Sequence, residues 1–380
     1  MKENKRANFF KKQIVATLIA ILLGFIVAGI MLLAIGFNPL EAYKEMFKGI
    51  FAKPRYLSNT IIMATPIILT GASVAFAFQT GLFNIGAEGQ FMMGAIVTAV
   101  LGIKLELPAP IQVPFILLAG ALAGMIYGGF IGFLKARFGV HEVITGIMLN
   151  WTAFYLNNYI AKGSSLHMPD STGSYPINPS GYTKLFPVMK ETEEGIASLL
   201  ERPIIGEVIV KTDVNIGIII AIIVVVILSY IIKKSTTGYQ LRAVGLNKDA
   251  AEFAGIDVKK NITKSMAIAG AVAGLAGALN ITGLYPHKLV SLGVFANYGF
   301  NGLAVALIAG NSIIGTLFSG LLFGGFLYGG QSIQSKMGAP SEIIEIMIGI
   351  IILFIAFSSI LPKIVDRLAE RKLRNEEEDV

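Results

Sequence analysis

Apolar runs about as long as a bilayer is thick recur along this chain, and no other feature limits its possible folds so tightly. A hydrocarbon core of about 30 Å takes roughly 20 apolar residues to cross as a helix. Runs of that kind lie near residues 14–36, 57–79, 86–103, 112–134, 143–161, 214–232, 263–283, 298–310, 312–330 and 342–360. They predict an all-α, polytopic membrane protein with about ten transmembrane helices. Composition agrees. Only 14% of the 380 residues are charged and the mean hydropathy is +0.70, which a soluble domain could accommodate only by being almost all core. The first run begins at Ile14, behind the basic segment MKENKRANFFKK, and is too long for the apolar stretch of a secretory signal. It reads as an anchored first helix.

The third and eighth runs sit in Gly- and Asn-containing sequence and read as broken or re-entrant helices. Such backbone is tolerated at membrane depth only where protein or a cavity covers it. GLFNIGAEG (81–89) and GFNGLAVALIAG (299–310) are alike in this respect, the pattern expected of two repeats meeting at a midplane site. The spacings Gly120-x3-Gly124-x3-Gly128, Gly270-x3-Gly274 and Gly320-x3-Gly324 let backbones approach closely, and packing is their expected role.

Lys and Arg set the orientation. With the N-terminus inside, the basic clusters Lys233 to Lys264 and Lys363 to Arg374 both fall in the cytoplasm, as does the C-terminus. The expected organisation is a basic cytoplasmic N-terminus (1–13), a transmembrane permease domain (14–362) and a charged cytoplasmic tail (363–380) ending in NEEEDV. Three polar stretches interrupt the membrane domain. Residues 38–56 read as a short amphipathic helix on the outer face, 162–213 as a polar outer loop, and 233–262 as a charged cytoplasmic loop.

Enzyme chemistry finds little support. There is no cysteine, hence no disulfide framework and no thiolate metal site. No G-x-x-x-x-G-K-[ST] loop occurs, so the chain is not expected to cradle nucleotide phosphates. His141-Glu142 begins like a zinc-protease motif, but Thr145 stands where the second His would be. With only His141, His167 and His287 available, no metal site is expected. The basic residues are scattered along loops and ends, which argues against nucleic acid as a partner.

Polar side chains within apolar runs say more. Gln79, Asn84, Glu88 and Gln90 all lie in FAFQTGLFNIGAEGQFMMG. A carboxylate at the bilayer centre costs about 2.5–3.5 kcal/mol, so Glu88 should face protein or water and have a partner. One reading puts this segment on a translocation path; the other has Glu88 near the cytoplasmic interface, capping a helix N-terminus. Asn150, Trp151, Tyr155, Asn157 and Asn158 form a polar and aromatic stripe on the fifth run, and Asn297, Tyr298, Phe300 and Asn301 flank the eighth. Amides beside aromatic faces suit a flat heterocycle, while interhelical hydrogen bonding is the plainer account. Gln79, Asn84, Glu88, Gln90, Asn150, Trp151 and Asn301 are the candidate path or substrate residues.

The cytoplasmic loop is the most informative stretch. Lys248 to Gly255 should form a short exposed helix, with Asn247 as N-cap, Asp249 in the first turn and Gly255 at the stop. It would offer Ala250, Ala251 and Phe253 as an apolar docking patch. The run LRAVGLNKDAAEFAGI resembles the "RAVG-N-AA-GI" signature of ABC permeases that serve simple sugars, nucleosides and branched-chain amino acids, and GLFNIGAEGQFMMGA resembles a second signature of that family. The resemblance extends over about residues 58–360. Length, the outer helix and the 162–213 loop look most like the larger permease of bacterial nucleoside importers.

That resemblance implies a division of labour. Asn247, Lys248, Asp249, Ala250, Ala251, Glu252, Phe253 and Gly255 would form the coupling helix that docks on a cytoplasmic ABC ATPase. ATP would be bound by that partner, leaving no cofactor in this chain. A second permease, identical or different, would complete the pathway, and an extracytoplasmic substrate-binding lipoprotein would deliver a small molecule. A bacterial plasma membrane is the expected location and a nucleoside the expected substrate. A ribose-type sugar permease is the near alternative, and an ion-coupled secondary transporter the alternative from another class.

Overall fold

The computed structural model describes residues 2–186, 190 and 192–357. The tail 363–380, with the basic cluster Lys363 to Arg374, lies outside the described residues. Among these, fifteen α-helices and no strand are present. In chain order they are α1 (Lys2–Ile35), α2 (Pro39–Phe51), α3 (Pro54–Phe78), α4 (Ala87–Lys104), α5 (Ala109–Phe138), α6 (Glu142–Asn158), α7 (Glu193–Leu200) and α8 (Pro203–Lys211). There follow α9 (Gly217–Lys234), α10 (Thr236–Leu246), α11 (Lys248–Phe253), α12 (Val258–Gly283), α13 (Tyr298–Ile308), α14 (Gly315–Met337) and α15 (Ser341–Phe357).

Among the described residues, each predicted apolar run coincides with a helix over most of its length. Five helices (α1, α3, α5, α9 and α12) are long and apolar enough to cross a bilayer on length and composition alone. By contrast α13 has 11 residues, about 16 Å at 1.5 Å per residue, roughly half a hydrocarbon core. It follows a non-helical stretch, as a re-entrant helix does.

Two expectations need correction. The amphipathic helix placed at 38–56 stops at Phe51, and residues from Pro54 open α3 instead. Proline lacks the N–H that a continuing helix needs but suits the first turn of a new one. The start was legible: the Asn38 side chain accepts from Leu40 N at 3.0 Å and Pro39 follows it. The 162–213 segment is also less irregular than its composition suggests. It contains α7, capped by Thr192, whose hydroxyl accepts from Gly195 N at 3.2 Å, and α8, opened by Pro203.

The chain divides into two compact units, one of residues 1–52 and 326–380 and one of residues 53–325. In the first, α1 runs against α15. A Cβ at Gly24 would lie 3.0 Å from the Ile351 Cα, so the helices meet backbone to backbone. The Tyr43 hydroxyl on α2 donates to the Phe25 carbonyl at 2.6 Å, with the two rings edge to face.

The second unit is built around α12, which packs on α3, α4 and α5. Its helices touch at glycines: a Cβ on Gly124 would fall on the Gly270 carbonyl, and one on Gly94 on the Gly274 carbonyl. Lipid supplies no hydrophobic force between helices, so close packing of small residues carries the association. Gly274→Val is therefore expected to destabilise the fold by more than the ~1–3 kcal/mol usual for overpacking, since backbone cannot move aside as a side chain can. Gly129→Ala meets only ordinary contact with Ala267 and is the tolerated control. Membrane abundance and detergent-extracted monodispersity of the two variants check this.

Candidate functional site

Two breaks in the helical run build the site. The first lies between α3 and α4 and turns at Gly81 (φ +69°). The second lies between α12 and α13 and ends at Asn297, whose φ of +65° is a conformation Asn tolerates better than most residues. Asn297 offers α13 no side-chain cap. The N–H groups that a helix leaves unsatisfied at its start are taken up from across the break instead. Fully buried Glu88, in the first turn of α4, accepts from Asn297 N at 2.9 Å and from Gly299 N at 2.6 Å. A carboxylate there also faces the positive end of the α13 dipole. The two Gly/Asn-rich segments paired from sequence thus meet, and Glu88 caps a neighbouring helix rather than its own.

Most other candidate polar residues hold these breaks in shape. Asn84 and Gln90 form a buried reciprocal amide pair, with Asn84 Nδ2 donating to Gln90 Oε1 at 2.9 Å and Gln90 Nε2 to Asn84 Oδ1 at 3.0 Å. Asn150 straps the first break to α6, accepting from Gly89 N at 2.8 Å and donating to the Ile85 carbonyl at 3.0 Å. Asn157 and Asn158 donate to the carbonyls of Val290 and Leu292, both at 3.0 Å, and so strap the second break to the same helix. Gln79 donates to the Asn311 carbonyl at 3.1 Å. Trp151 is 44% exposed and packs edge to face on Phe295, ring centroids 4.7 Å apart. Asn301 is half-buried in the first turn of α13.

Between the second break and helices α4, α6 and α12 lies a cavity of about 200 Å³ whose walls include Phe91, Asn157, Asn280, Tyr285, Leu289 and Tyr298. None of these except Asn157 and Tyr298 stood out in the sequence, because Phe91 and Asn280 look like ordinary positions of long helices until the breaks fold beside them.

The 233–262 loop forms the helix expected of it. The Asn247 side chain accepts from Ala250 N at 3.0 Å, and Asp249 lies in the first turn of α11. Gly255 (φ +78°) closes the helix: its N–H donates to the Glu252 carbonyl, and Ile256 N–H to the Ala251 carbonyl, both at 2.9 Å. Phe253 is 97% exposed, and Lys248, Ala250 and Glu252 also face outward. Ala251 turns inward, a position the one-patch reading of Ala250, Ala251 and Phe253 did not separate. It packs in one buried cluster with Val244 of α10 and Leu82 of the first break. Gly245, at the end of α10, lies so close that a Cβ there would strike the Gln79 carbonyl. The exposed helix therefore shares a buried cluster with the first break, and α10 beside it touches that break directly. Helix α10 itself was missed, although Ser235, which accepts from Gly238 N at 3.0 Å, is the kind of cap that announces one.

The α5–α6 corner on the same loop side is locked by charge. Lys135 and Glu142 form a short, largely buried ion pair. Burial opposes ionisation of Glu142, yet the Lys135 ammonium hydrogen-bonded to it holds its carboxyl below the usual range. His141 caps α6, its Nδ1 accepting from Val143 N at 3.3 Å. The residues of the apparent protease motif are thus taken up in the corner.

Residues 56–356, both breaks and the α10–α11 loop included, match the family described as the permease component of branched-chain amino acid transport systems. The chain belongs to that family. Among its relatives, the guanosine ABC transporter permease protein NupP of Bacillus subtilis is 38% identical, the match covering 94% of this chain and 97% of that protein. The nucleoside ABC transporter permease protein NupB of Lactococcus lactis is 35% identical over 92% of each chain. The glucose ABC transporter permease protein TsgB13 of Haloferax volcanii is 30% identical over 90% of this chain and 86% of its own length. No solved structure matches the chain significantly. Membership makes it a multi-pass membrane permease.

Proposed function

We propose that this chain is the membrane-spanning permease subunit of an ATP-binding cassette importer that carries nucleosides into the cell. ATP is bound and hydrolysed by a separate cytoplasmic ATPase, and this chain holds no nucleotide of its own. The observation that carries the reading is the capped, outward-facing helix α11, whose inner face shares a buried cluster with the first break. Phe253, 97% exposed on this short helix, is free to face a partner. Movement of α11 with the ATPase passes through Ala251 and Val244 to Leu82, and from that break through Glu88 to the start of α13. Alternating access results when the second permease copy, identical or not, responds in the same way. Residues 38–56 and 162–213 are the surfaces offered to a substrate-binding lipoprotein outside.

Nucleosides are favoured as substrate because two of the three relatives above are named for them. A sugar is the second reading, supported by the relative named for glucose. Uptake of labelled guanosine, uridine and ribose in cells with and without the gene decides between them. Gene-dependent guanosine or uridine uptake is expected; loss of ribose uptake alone assigns the chain to sugars.

The orientation has its own test. The chain has no cysteine, so a single Phe253→Cys substitution gives one reactive thiol. A membrane-impermeant maleimide is expected to label it in inside-out vesicles and not in intact cells. Labelling of intact cells places this loop, and with it the N-terminus, on the opposite side.

A further inference from the structure

The cavity beside the second break has an aromatic wall. Phe91 and Tyr298 stack with centroids 4.8 Å apart and planes 25° from parallel, and both line the cavity together with Asn157 and Asn280. Tyr298 is held from several directions. Glu88 grips the N–H groups of its two neighbours, Asn297 and Gly299. Its own carbonyl accepts from the Thr70 hydroxyl at 2.8 Å. A ring so restrained has little freedom left to lose when a ligand settles on it, which favours binding.

The size of the cavity narrows the ligand. About 200 Å³ is below the ~300–1,000 Å³ usual for a pocket that encloses a drug-sized molecule, so it suits a single planar ring system. Its rim includes Tyr285, 78% exposed, which leaves room for a polar remainder to project outward. Every nucleobase has a π-face, so stacking on an aromatic side chain is tolerant of base identity.

We propose that the Phe91–Tyr298 wall is the station on which the base of a nucleoside rests during translocation, with Tyr298 as the specificity-determining ring. This deepens the nucleoside reading above and rests on it. The ribose lies toward the open rim, where Lys288 and Tyr285 supply polar groups.

The test is uptake of labelled guanosine, at a concentration well below half-saturation, by the full-length chain in cells that hold its partner subunits, with membrane abundance measured alongside. Tyr298→Phe keeps the ring and is expected to stay within about threefold of wild type. Tyr298→Leu fills similar space without a π-face, and its uptake is expected to fall roughly 5- to 150-fold, the equivalent of one base stack. Should the Leu variant fail to accumulate, Ala95→Phe carries the test. It narrows the cavity from α4 without altering Tyr298, and should bring uptake below about a tenth. Wild-type uptake in both Tyr298→Leu and Ala95→Phe overturns the proposal, as does equal loss in the Phe and Leu variants, which would mark Tyr298 as packing alone. If wild type transports ribose and no nucleoside, the failure lies in the nucleoside reading, and the base station falls with it.

Discussion

Phe253→Asp is expected to abolish substrate uptake while leaving the chain folded in the membrane. The side chain is 97% exposed, so replacing it removes no buried apolar contact from this subunit. The helix that presents it is held independently. Its start is capped by Asn247, its end is closed at Gly255, and its inner face is anchored by Ala251 against Val244 and Leu82. At the interface with an ATPase the same change places a carboxylate where an aromatic anchor belongs. Truncation of such anchors commonly costs 2 kcal/mol or more, about 30-fold in affinity, and an unpaired buried charge adds to that. Co-purification of the ATPase with the tagged permease, beside uptake, checks the prediction. Normal uptake would remove α11 from the coupling role. Loss of the chain from the membrane would show instead that Phe253 serves the fold.

The second large effect is expected at Glu88. Glu88→Ala leaves the N–H groups of Asn297 and Gly299 without their acceptor at a fully buried point, at about 1–3 kcal/mol for each unsatisfied group. Because the two breaks join there, the loss falls on their alignment, and uptake is expected to drop by at least about tenfold. Glu88→Gln separates geometry from charge. Its amide oxygen can take one N–H, but its NH₂ then faces the other, so an intermediate phenotype is expected. Uptake rates and thermal unfolding of the purified variants measure both effects. An ion-coupled transporter would behave differently: the Gln variant would keep its structure and lose only its response to the gradient.

Much of this was legible in the sequence, for identifiable reasons. Apolar runs of bilayer length admit few structures other than helices, so the positions of the spans followed from hydropathy. The α11 helix was legible because Asn247, Asp249 and Gly255 are local instructions that act within one turn or two. What could not be read locally was partnership. Glu88 needed a donor, but nothing in its neighbourhood says that the donors are the N–H groups of Asn297 and Gly299, some 210 residues away. The inward turn of Ala251 and the cluster it shares with Leu82 are likewise products of tertiary packing. So is the cavity wall: Phe91 is an unremarkable apolar residue of α4 until Tyr298 stacks on it. Helices α7 and α8 were passed over because they are short, and the polar composition around them outweighed the caps at Thr192 and Pro203.

The central claim is that ATP hydrolysis by a partner, transmitted through α11, drives nucleoside entry through this chain. Its most direct test is labelled guanosine uptake in cells with and without the gene, after the proton and sodium gradients are collapsed while cellular ATP is maintained. The account predicts gene-dependent uptake that persists. Gene-dependent uptake that vanishes with the gradients while ATP remains would contradict it and make the chain an ion-coupled carrier.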